Sequence, residues 1–213
     1  MKQICVFCGS SPGSQLEYVE MAAQLGKQLV KNNIGLVYGG GSVGMMGVLA
    51  NSVVKNNGSV TGVITKKLYK MEVAFTELTD LRIVDTMHER KAMMTDLSDG
   101  FIALPGGFGT MDEMFEILTL SQLNIHQKPC GFLNVNGYYN KLLEFVDHMI
   151  SQNFVNKACR PLLQMDESPD GLLEKFSNYK PLLVDKGEWA KNLQAANKNM
   201  RNIVHESKLK KKN

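Results

Sequence analysis

The segment best suited to chemistry in this chain is the nine-residue stretch 105–113, which reads Pro-Gly-Gly-Phe-Gly-Thr-Met-Asp-Glu. It follows the apolar run 101–104, and helical periodicity continues after it to residue 123. Glycines let a backbone approach an anion closely, and the free N–H groups and positive dipole end of a helix attract that anion. The pattern therefore predicts a cradle for a phosphate group between a strand and a helix.

A second loop, residues 86–91, carries the basic pair Arg90 and Lys91 at the start of another predicted helix. Cations are mildly unfavourable there because the helix dipole is positive at that end. Pairing with Glu89, Asp85 or another local carboxylate would explain an isolated surface pair. Two anion-seeking loops at one edge of a sheet favour a binding role instead.

Glu113 ends the glycine-rich segment and allows two interpretations. With Thr110 it fits a T-x-x-E capping box, in which its carboxylate accepts from the Thr110 backbone N–H. In the second interpretation it binds ribose hydroxyls and stabilises a developing positive charge. Such a role would offset the electrostatic cost of a carboxylate beside a bound phosphate. Glu116 lies one turn further along and is a weaker candidate, whereas Thr119 lies near enough for a secondary contact.

Glycines also crowd residues 39–47, where the pattern G-x-G-x-x-G occurs. A dinucleotide fold carries that fingerprint after its first strand, with an acidic residue about 20 positions further on. Here the loop follows the second predicted strand, and Val60, Thr61 and Gly62 stand at that distance. An NAD site is not predicted, and two uses stay open for the loop: ligand binding, or tight packing of a helix on a strand.

These loops lie in an alternation of short apolar runs and longer segments of helical period. The predicted strands cover residues 4–8, 34–38, 60–64, 81–84, 101–104, 130–134 and 162–165, and the predicted helices cover 15–31, 45–55, 88–97, 111–123, 138–151 and 169–178. Ser14 and Glu17 fit a capping box for the first helix. The alternation predicts an α/β fold, a single Rossmann-like doubly wound parallel sheet with helices on both faces. Its strand-to-helix loops meet at one edge, where such folds bind ligands.

Length and charge divide the chain into a body and a tail. The 213 residues suit one domain, predicted over residues 1–184 and followed by a basic tail, 185–213, that is helical or frayed. Eight Lys and Arg face three Asp and Glu in the tail. The lysine-rich end, 208–212, has no interleaved aromatic residues, so nucleic acid is not favoured as a partner. Apolar runs are too short to cross a membrane and the N-terminus reads as a strand, which predicts a cytoplasmic protein.

The cysteines and histidines give no sign of a metal or redox site. Four cysteines are too few for a disulfide framework, and Cys5 and Cys8 would point to opposite faces of a strand. The four histidines are scattered and lack a metal-ligand spacing. No metal and no cofactor are predicted.

Together the motifs resemble the LOG family of cytokinin riboside 5'-monophosphate phosphoribohydrolases, whose members are often mislabelled as lysine decarboxylases. The resemblance covers residues 4–165 and rests on the segments 4–11, 37–47, 87–91, 105–113 and 137–139. The Arg-Lys pair combined with P-G-G-x-G-T-x-x-E is highly specific, whereas each glycine loop alone is not.

The resemblance implies cofactor-free hydrolysis of the N-glycosidic bond of an N6-modified adenosine 5'-monophosphate, and a homodimer with active sites near the interface. By position it assigns catalysis to Arg90 and Glu113, and nucleotide contacts to Glu72, Lys91, Gly107, Phe108, Gly109, Thr110, Met111, Asp112 and Thr119. Thr65, Asp112 and Leu120 stand where Pro, Glu and Trp are usual in the family, and Leu120 bears on the width of the base pocket.

Three other functions remain open at this point. The chain could be a general AMP nucleosidase, or a nucleotide or molybdenum-cofactor carrier on the same scaffold without chemistry of its own. A PLP-dependent lysine decarboxylase is the least favoured, because it needs a Schiff-base lysine and Lys91 has no visible partner for the pyridine nitrogen.

Overall fold

The computed structural model describes residues 1–71, 74–75, 78, 80–183, 187, 191 and 194, and the structural statements below concern these residues. Met1–Leu182 form one compact unit. Leu183–Asn213 form a second unit, of which four residues are described. The predicted basic tail therefore lies almost wholly outside the described residues.

Strands and helices alternate along the described chain. The strands are β1 (Gln3–Phe7), β2 (Gly35–Tyr38), β3 (Val60–Thr65), β4 (Asp80–Val84), β5 (Gly100–Ala103), β6 (Cys130–Leu133) and β7 (Leu163–Asp166). The helices are α1 (Leu16–Lys31), α2 (Gly44–Lys55), α3 (Lys66–Met71), α4 (Met87–Asp96), α5 (Phe108–Gln122), α6 (Asn140–Ser151) and α7 (Pro169–Ser177). Two 3-10 turns, Val135–Gly137 and Lys157–Leu162, precede α6 and β7.

The strands form one parallel sheet in the order β4-β3-β2-β1-β5-β6-β7. The order reverses at β1, which lies between β2 and β5, and Phe7 pairs with Ala103 at the carboxyl ends of β1 and β5. Doubly wound sheets bind ligands at this switch point. The predicted Rossmann-like α/β sheet is confirmed.

Buried side chains cover both faces of the sheet. Ile4 and Val6 of β1 pack in the cluster that contains α1 and α2, whereas Cys5 and Phe7 pack with α4, α5 and α6. Cys8 joins the first cluster, so Cys5 and Cys8 lie on opposite faces as the strand period predicts. All the cysteines are buried, namely Cys5, Cys8, Cys130 and Cys159.

The start of α1 differs from its prediction. Gln15 is the N-cap in an extended conformation, and among the described residues no side chain caps the first turn. The Ser14–Glu17 capping box is therefore wrong, because Ser14 lies outside the helix. A capping box occurs instead at α4, where Thr86 Oγ1 accepts from the Glu89 N–H and the Glu89 carboxylate accepts from the Thr86 N–H.

Two further differences follow from local sequence. The short helix α3 is not predicted because it buries no residue and so presents no apolar stripe. Helix α5 begins at Phe108, earlier than the predicted Met111, which places Gly109 and Thr110 in its first turn.

Four helices end in the same way. Two residues after the last helical residue of α1, α2, α5 and α6, an asparagine takes a left-handed conformation: Asn33, Asn57, Asn124 and Asn153, with φ of 56°, 60°, 57° and 59°. In α1 the Ile34 N–H donates to Leu29 O and the Asn33 N–H donates to Val30 O, the paired bonds of a Schellman motif. Each of these helices satisfies its last carbonyls without glycine at the turn.

Candidate active site

A cavity of about 300 Å³ opens at the switch point, between the loops that follow β1 and β5. Seven of the predicted site residues line it: Arg90, Gly107, Phe108, Gly109, Thr110, Asp112 and Glu113. The structure therefore brings together the glycine-rich segment and the basic loop, which are separate in sequence. Met46, Leu68 and Met87 add apolar wall.

The glycine-rich segment forms the start of a helix that faces the cavity. Gly107 is the N-cap of α5, and its carbonyl accepts the first intrahelical bond from the Met111 N–H. The N–H groups of residues 107–110 therefore lack helical partners and can serve a ligand. A Cβ on Gly107 or Gly109 would meet nothing within 4 Å, so packing does not require glycine there. Both positions leave open space in which an anion could approach the backbone.

The side chain of Thr110 packs against this loop. This side chain is buried, and a Cβ on Gly106 would lie 2.1 Å from Thr110 Oγ1. The Gly9 N–H after β1 donates to Pro105 O at 3.1 Å. The loop is thus fixed to both β1 and α5, which favours a preformed site.

Arg90 is 7% exposed, and backbone carbonyls hold its guanidinium in place. Its Nε donates to Val63 O at 2.9 Å, and its Nη2 donates to Gly39 O at 3.3 Å. A Cβ on Gly39 would lie 2.2 Å from Nη2, so glycine at this position lets the guanidinium reach the end of β2. The third partner is Glu113, whose Oε1 accepts from Nη1 at 2.7 Å.

Glu113 faces Arg90 rather than the helix start. The capping interpretation is wrong, because Gly107 is the N-cap and Thr110 lies inside the helix. The Glu113 side chain is 11% exposed, and this burial raises the pKa of its carboxyl group, although Arg90 acts to lower it. A carboxylate held out of water beside a fixed cation can stabilise a positively charged sugar in a transition state.

Lys91 pairs with α5 and not with its own loop. Its Nζ forms an ion pair with Glu116 and a longer one with Asp112, at 3.2 Å. The hydrogen bond that Lys91 Nζ donates to the Glu116 carboxylate raises the pKa of Lys91. Local pairing of the basic loop with Glu89 or Asp85 is therefore wrong for this side chain, because the α4–α5 packing offers it nearer carboxylates.

The remaining predicted contacts lie elsewhere. Thr119 donates to Phe115 O and lines a separate groove of about 200 Å³ with Phe115, Leu118, Met149 and Ile150. Six residues separate it from Glu113, which turns the two side chains to different sides of α5. Met111 is partly buried against the core beneath α5. Glu72 lies outside the described residues.

Two tyrosines that the sequence does not assign to the site hold its loop. Tyr138 Oη donates to Gly106 O at 2.7 Å, and Tyr139 Oη donates to Leu104 O at 2.6 Å. The pair directly follows Gly137, a glycine with φ of 72°. A Gly-Tyr-Tyr run after a buried strand is the signal that could have indicated them.

The described residues offer neither a metal cluster nor a membrane-spanning helix. Within the described part of the chain, no three His, Cys, Asp or Glu side chains are grouped so that they could hold a metal ion. None of the helices described is long and apolar enough to cross a membrane.

The fold and the position of the cavity define a Rossmann-like α/β protein with a ligand site at its switch point. A family model described as "Possible lysine decarboxylase" matches residues 46–176. Two cytokinin riboside 5'-monophosphate phosphoribohydrolases of Arabidopsis thaliana are 46% and 44% identical to the chain, each over 84% of both sequences. The chain belongs to this family, the LOG family.

Solved structures support the same fold at lower similarity. The molybdenum cofactor binding protein of Rippkaea orientalis superposes with a TM-score of 0.61 at 21% identity, over 84% of this chain and 97% of that one. Sequence identity at this level shows only that the two proteins share a fold.

Proposed function

We propose that this protein hydrolyses the N-glycosidic bond of a nucleoside 5'-monophosphate, an N6-modified adenosine monophosphate in particular, to give the free base and ribose 5-phosphate. The observation that carries the proposal is the 2.7 Å Arg90–Glu113 pair beside the open helix start at Gly107. The phosphoribohydrolase activity of the Arabidopsis thaliana relatives supports the same reaction.

The phosphate binds first in this scheme. The unpaired N–H groups of residues 107–110 and the dipole of α5 hold the 5'-phosphate, so the ribose is directed toward Glu113, further along the same helix. Arg90, fixed by Val63 O and Gly39 O, orients the nucleotide without moving itself. Met46, Leu68 and Met87 offer apolar surface to the base.

The chemical step then uses few groups. The bond from C1' of the ribose to the base nitrogen breaks, and its electron pair leaves with the base. Water supplies a hydroxyl to C1' and a proton to the base. Glu113 in its charged form supports the cationic sugar and orients the water, as carboxylates do in glycoside hydrolysis.

Product analysis tests the reaction. Pure protein incubated with AMP and with isopentenyladenosine monophosphate should release free base and ribose 5-phosphate, faster from the N6-modified substrate. Equal rates from both would indicate a general AMP nucleosidase. Binding without release would contradict hydrolysis and indicate a carrier.

The Glu113→Gln variant tests the assigned carboxylate. We expect kcat to fall about 100-fold, because one group that stabilises the transition state is removed. The matched control is Glu144→Gln, the same chemical change at an exposed position on α6, which should leave kcat unchanged. Near-normal turnover in Glu113→Gln would show that its role is misassigned.

We also propose a homodimer formed through the face of α5 and α6. The apolar groove that contains Phe115, Leu118, Met149 and Ile150 supports it, and so does the family resemblance. A partner on this face would contact Thr119, which lies away from the cavity of its own chain. Light scattering should give twice the 23.7 kDa mass, and Leu118→Asp should give a monomer. A cytoplasmic location stays a prediction from the sequence.

A further inference from the structure

We infer that Tyr138 is a positioning residue for the phosphate-binding loop: its hydroxyl fixes the peptide between Gly106 and Gly107 so that the Gly107 N–H faces the bound anion. The inference rests on the proposed function, in which residues 107–110 bind the 5'-phosphate. Nothing in the motif 105–113 itself indicates a residue 32 positions away.

The first step of the argument is the geometry of one peptide unit. In a trans peptide the carbonyl of one residue and the N–H of the next lie in one plane and point in opposite directions. Tyr138 Oη donates to Gly106 O at 2.7 Å, which fixes the direction of that carbonyl. The Gly107 N–H must then point away from Tyr138.

The second step is what lies on the two sides of that peptide. Gly106 and Tyr138 both line a cavity near α1, together with Ser11, Gly13 and Tyr18. Gly107 also lines the cavity of Arg90 and Glu113, which neither Gly106 nor Tyr138 lines. A carbonyl that turns toward the α1 side therefore leaves the N–H on the catalytic side.

The third step is that the peptide needs such a restraint. Gly106 packs closely on Thr110, but Gly107 lacks a side chain and has nothing within 4 Å of a Cβ position, so packing leaves the Gly107 side of this peptide unrestrained. A freely rotating peptide would present its carbonyl oxygen to the phosphate for part of the time, and that oxygen repels an anion.

The final step is the rigidity of Tyr138 itself. Its ring makes edge contacts with Tyr18 of α1 at 5.7 Å and with Tyr139 at 4.9 Å between centroids. The backbone before it turns through Asn136 and Gly137, which have φ of 49° and 72°. The Tyr139 N–H donates to Asn134 Oδ1 at 2.7 Å. The two ring contacts and the fixed backbone turn therefore hold the direction of the hydroxyl, although Tyr138 is 43% exposed.

Tyr139 provides the matched control. It carries the same hydroxyl, which donates to Leu104 O, a carbonyl in the same segment between β5 and α5. That bond lies at the end of β5, two residues before Gly106, and Tyr139 is 1% exposed. Tyr139→Phe removes a structural hydrogen bond without changing the Gly106–Gly107 peptide.

The experiment compares ligands with and without phosphate. Ribose 5-phosphate and adenosine are titrated into wild-type protein, Tyr138→Phe and Tyr139→Phe by calorimetry. Tyr138→Phe should bind ribose 5-phosphate about ten-fold more weakly, since hydrogen bonds to charged groups are the strong ones. Its affinity for adenosine should not change. Tyr139→Phe should lower the melting temperature and keep the wild-type ratio of the two affinities.

Several outcomes would overturn the inference. Unchanged binding of ribose 5-phosphate by Tyr138→Phe is one, and equal weakening of both ligands, as a merely structural role would give, is another. If Tyr138→Phe does not fold, wild-type protein still decides: the Gly107 amide resonance must shift on addition of ribose 5-phosphate and not of adenosine. A protein that releases no base would refute the proposed function and leave these binding measurements valid.

Discussion

The two glycine-rich loops of this protein are alike in composition and opposite in surroundings. After β2, a Cβ on Gly44 would lie 2.0 Å from Ser10 O and a Cβ on Gly47 would lie 2.0 Å from Ser42 O. After β5, Gly107 and Gly109 have nothing within 4 Å of the same position. Gly44 and Gly47 make room for the protein, as Gly106 does in the second loop, whereas Gly107 and Gly109 leave room for something that is not protein.

The difference separates two reasons for one residue type. Tight packing of α2 on the loops after β1 and β2 explains Gly44 and Gly47. Of the two uses that the sequence left open for this loop, ligand binding and packing, packing accounts for these two glycines. No packing contact explains Gly107 and Gly109, although Gly109 lies inside α5, where glycine costs about 1 kcal/mol relative to alanine. Stability lost without a packing reason is typical of a functional site.

The largest expected effect tests the packed loop. Gly44→Ala introduces a Cβ at φ of 59° and at 2.0 Å from a backbone oxygen. We expect the free energy of unfolding to fall by about 3 kcal/mol, and the melting temperature to fall by roughly 10 °C. Thermal unfolding followed by circular dichroism measures both. A variant as stable as wild type would remove the distinction between the loops.

The open loop should respond in the opposite way. Gly109→Ala should leave the free energy of unfolding unchanged or raise it by up to about 1 kcal/mol, because alanine favours the helix. Gly109 lines the cavity and a methyl group there would stand in open space, so kcat/KM should fall about ten-fold as the phosphate is displaced. Steady-state kinetics and urea unfolding on one preparation check this. Loss of stability without loss of activity would contradict it.

The pH dependence of stability tests Glu113, because Arg90 connects this residue of α5 to the loop after β2. Burial raises the pKa of Glu113, so between the ordinary glutamate value and the raised value the folded protein keeps a proton that the unfolded chain has lost. The free energy of unfolding therefore falls as pH rises through that window. Urea unfolding from about pH 4 to about pH 8 should show the wild type losing stability relative to Glu113→Gln. A relative gain would refute the raised pKa.

The smallest effect concerns the contacts between α4 and α5 outside the cavity. Glu116→Gln removes one partner of Lys91 and leaves Asp112. Because Glu116 is 37% exposed, we expect a loss of about 0.5 kcal/mol in the free energy of unfolding. Glu20→Gln on the exposed side of α1 is the control. A loss of several kcal/mol would mean that this pair, and not the Arg90–Glu113 pair, holds the two helices together.

The fold was open to prediction because its central strands are short, buried and apolar, and because helices such as α1 and α7 carry one apolar stripe. Arg90 and Glu113 could be predicted because each lies in a local motif. The carbonyls that hold Arg90 could not, since Val63 and Gly39 come together only when β2 and β3 pair. Tyr138 was missed for the same reason, and the position of Thr119 depends on where α5 begins and how it turns.

The asparagines that end α1, α2, α5 and α6 have a consequence for how the protein tolerates change. A left-handed turn needs only a permissive backbone, and asparagine meets that need with less freedom in the unfolded chain than glycine. Glycine at Asn33 or Asn153 would relax the native dihedral and raise the entropy of the unfolded state, and these opposing effects nearly cancel. These helix ends should therefore tolerate an exchange of asparagine for glycine with little change in stability. The crowded loop after β2 should not tolerate replacement of its glycines.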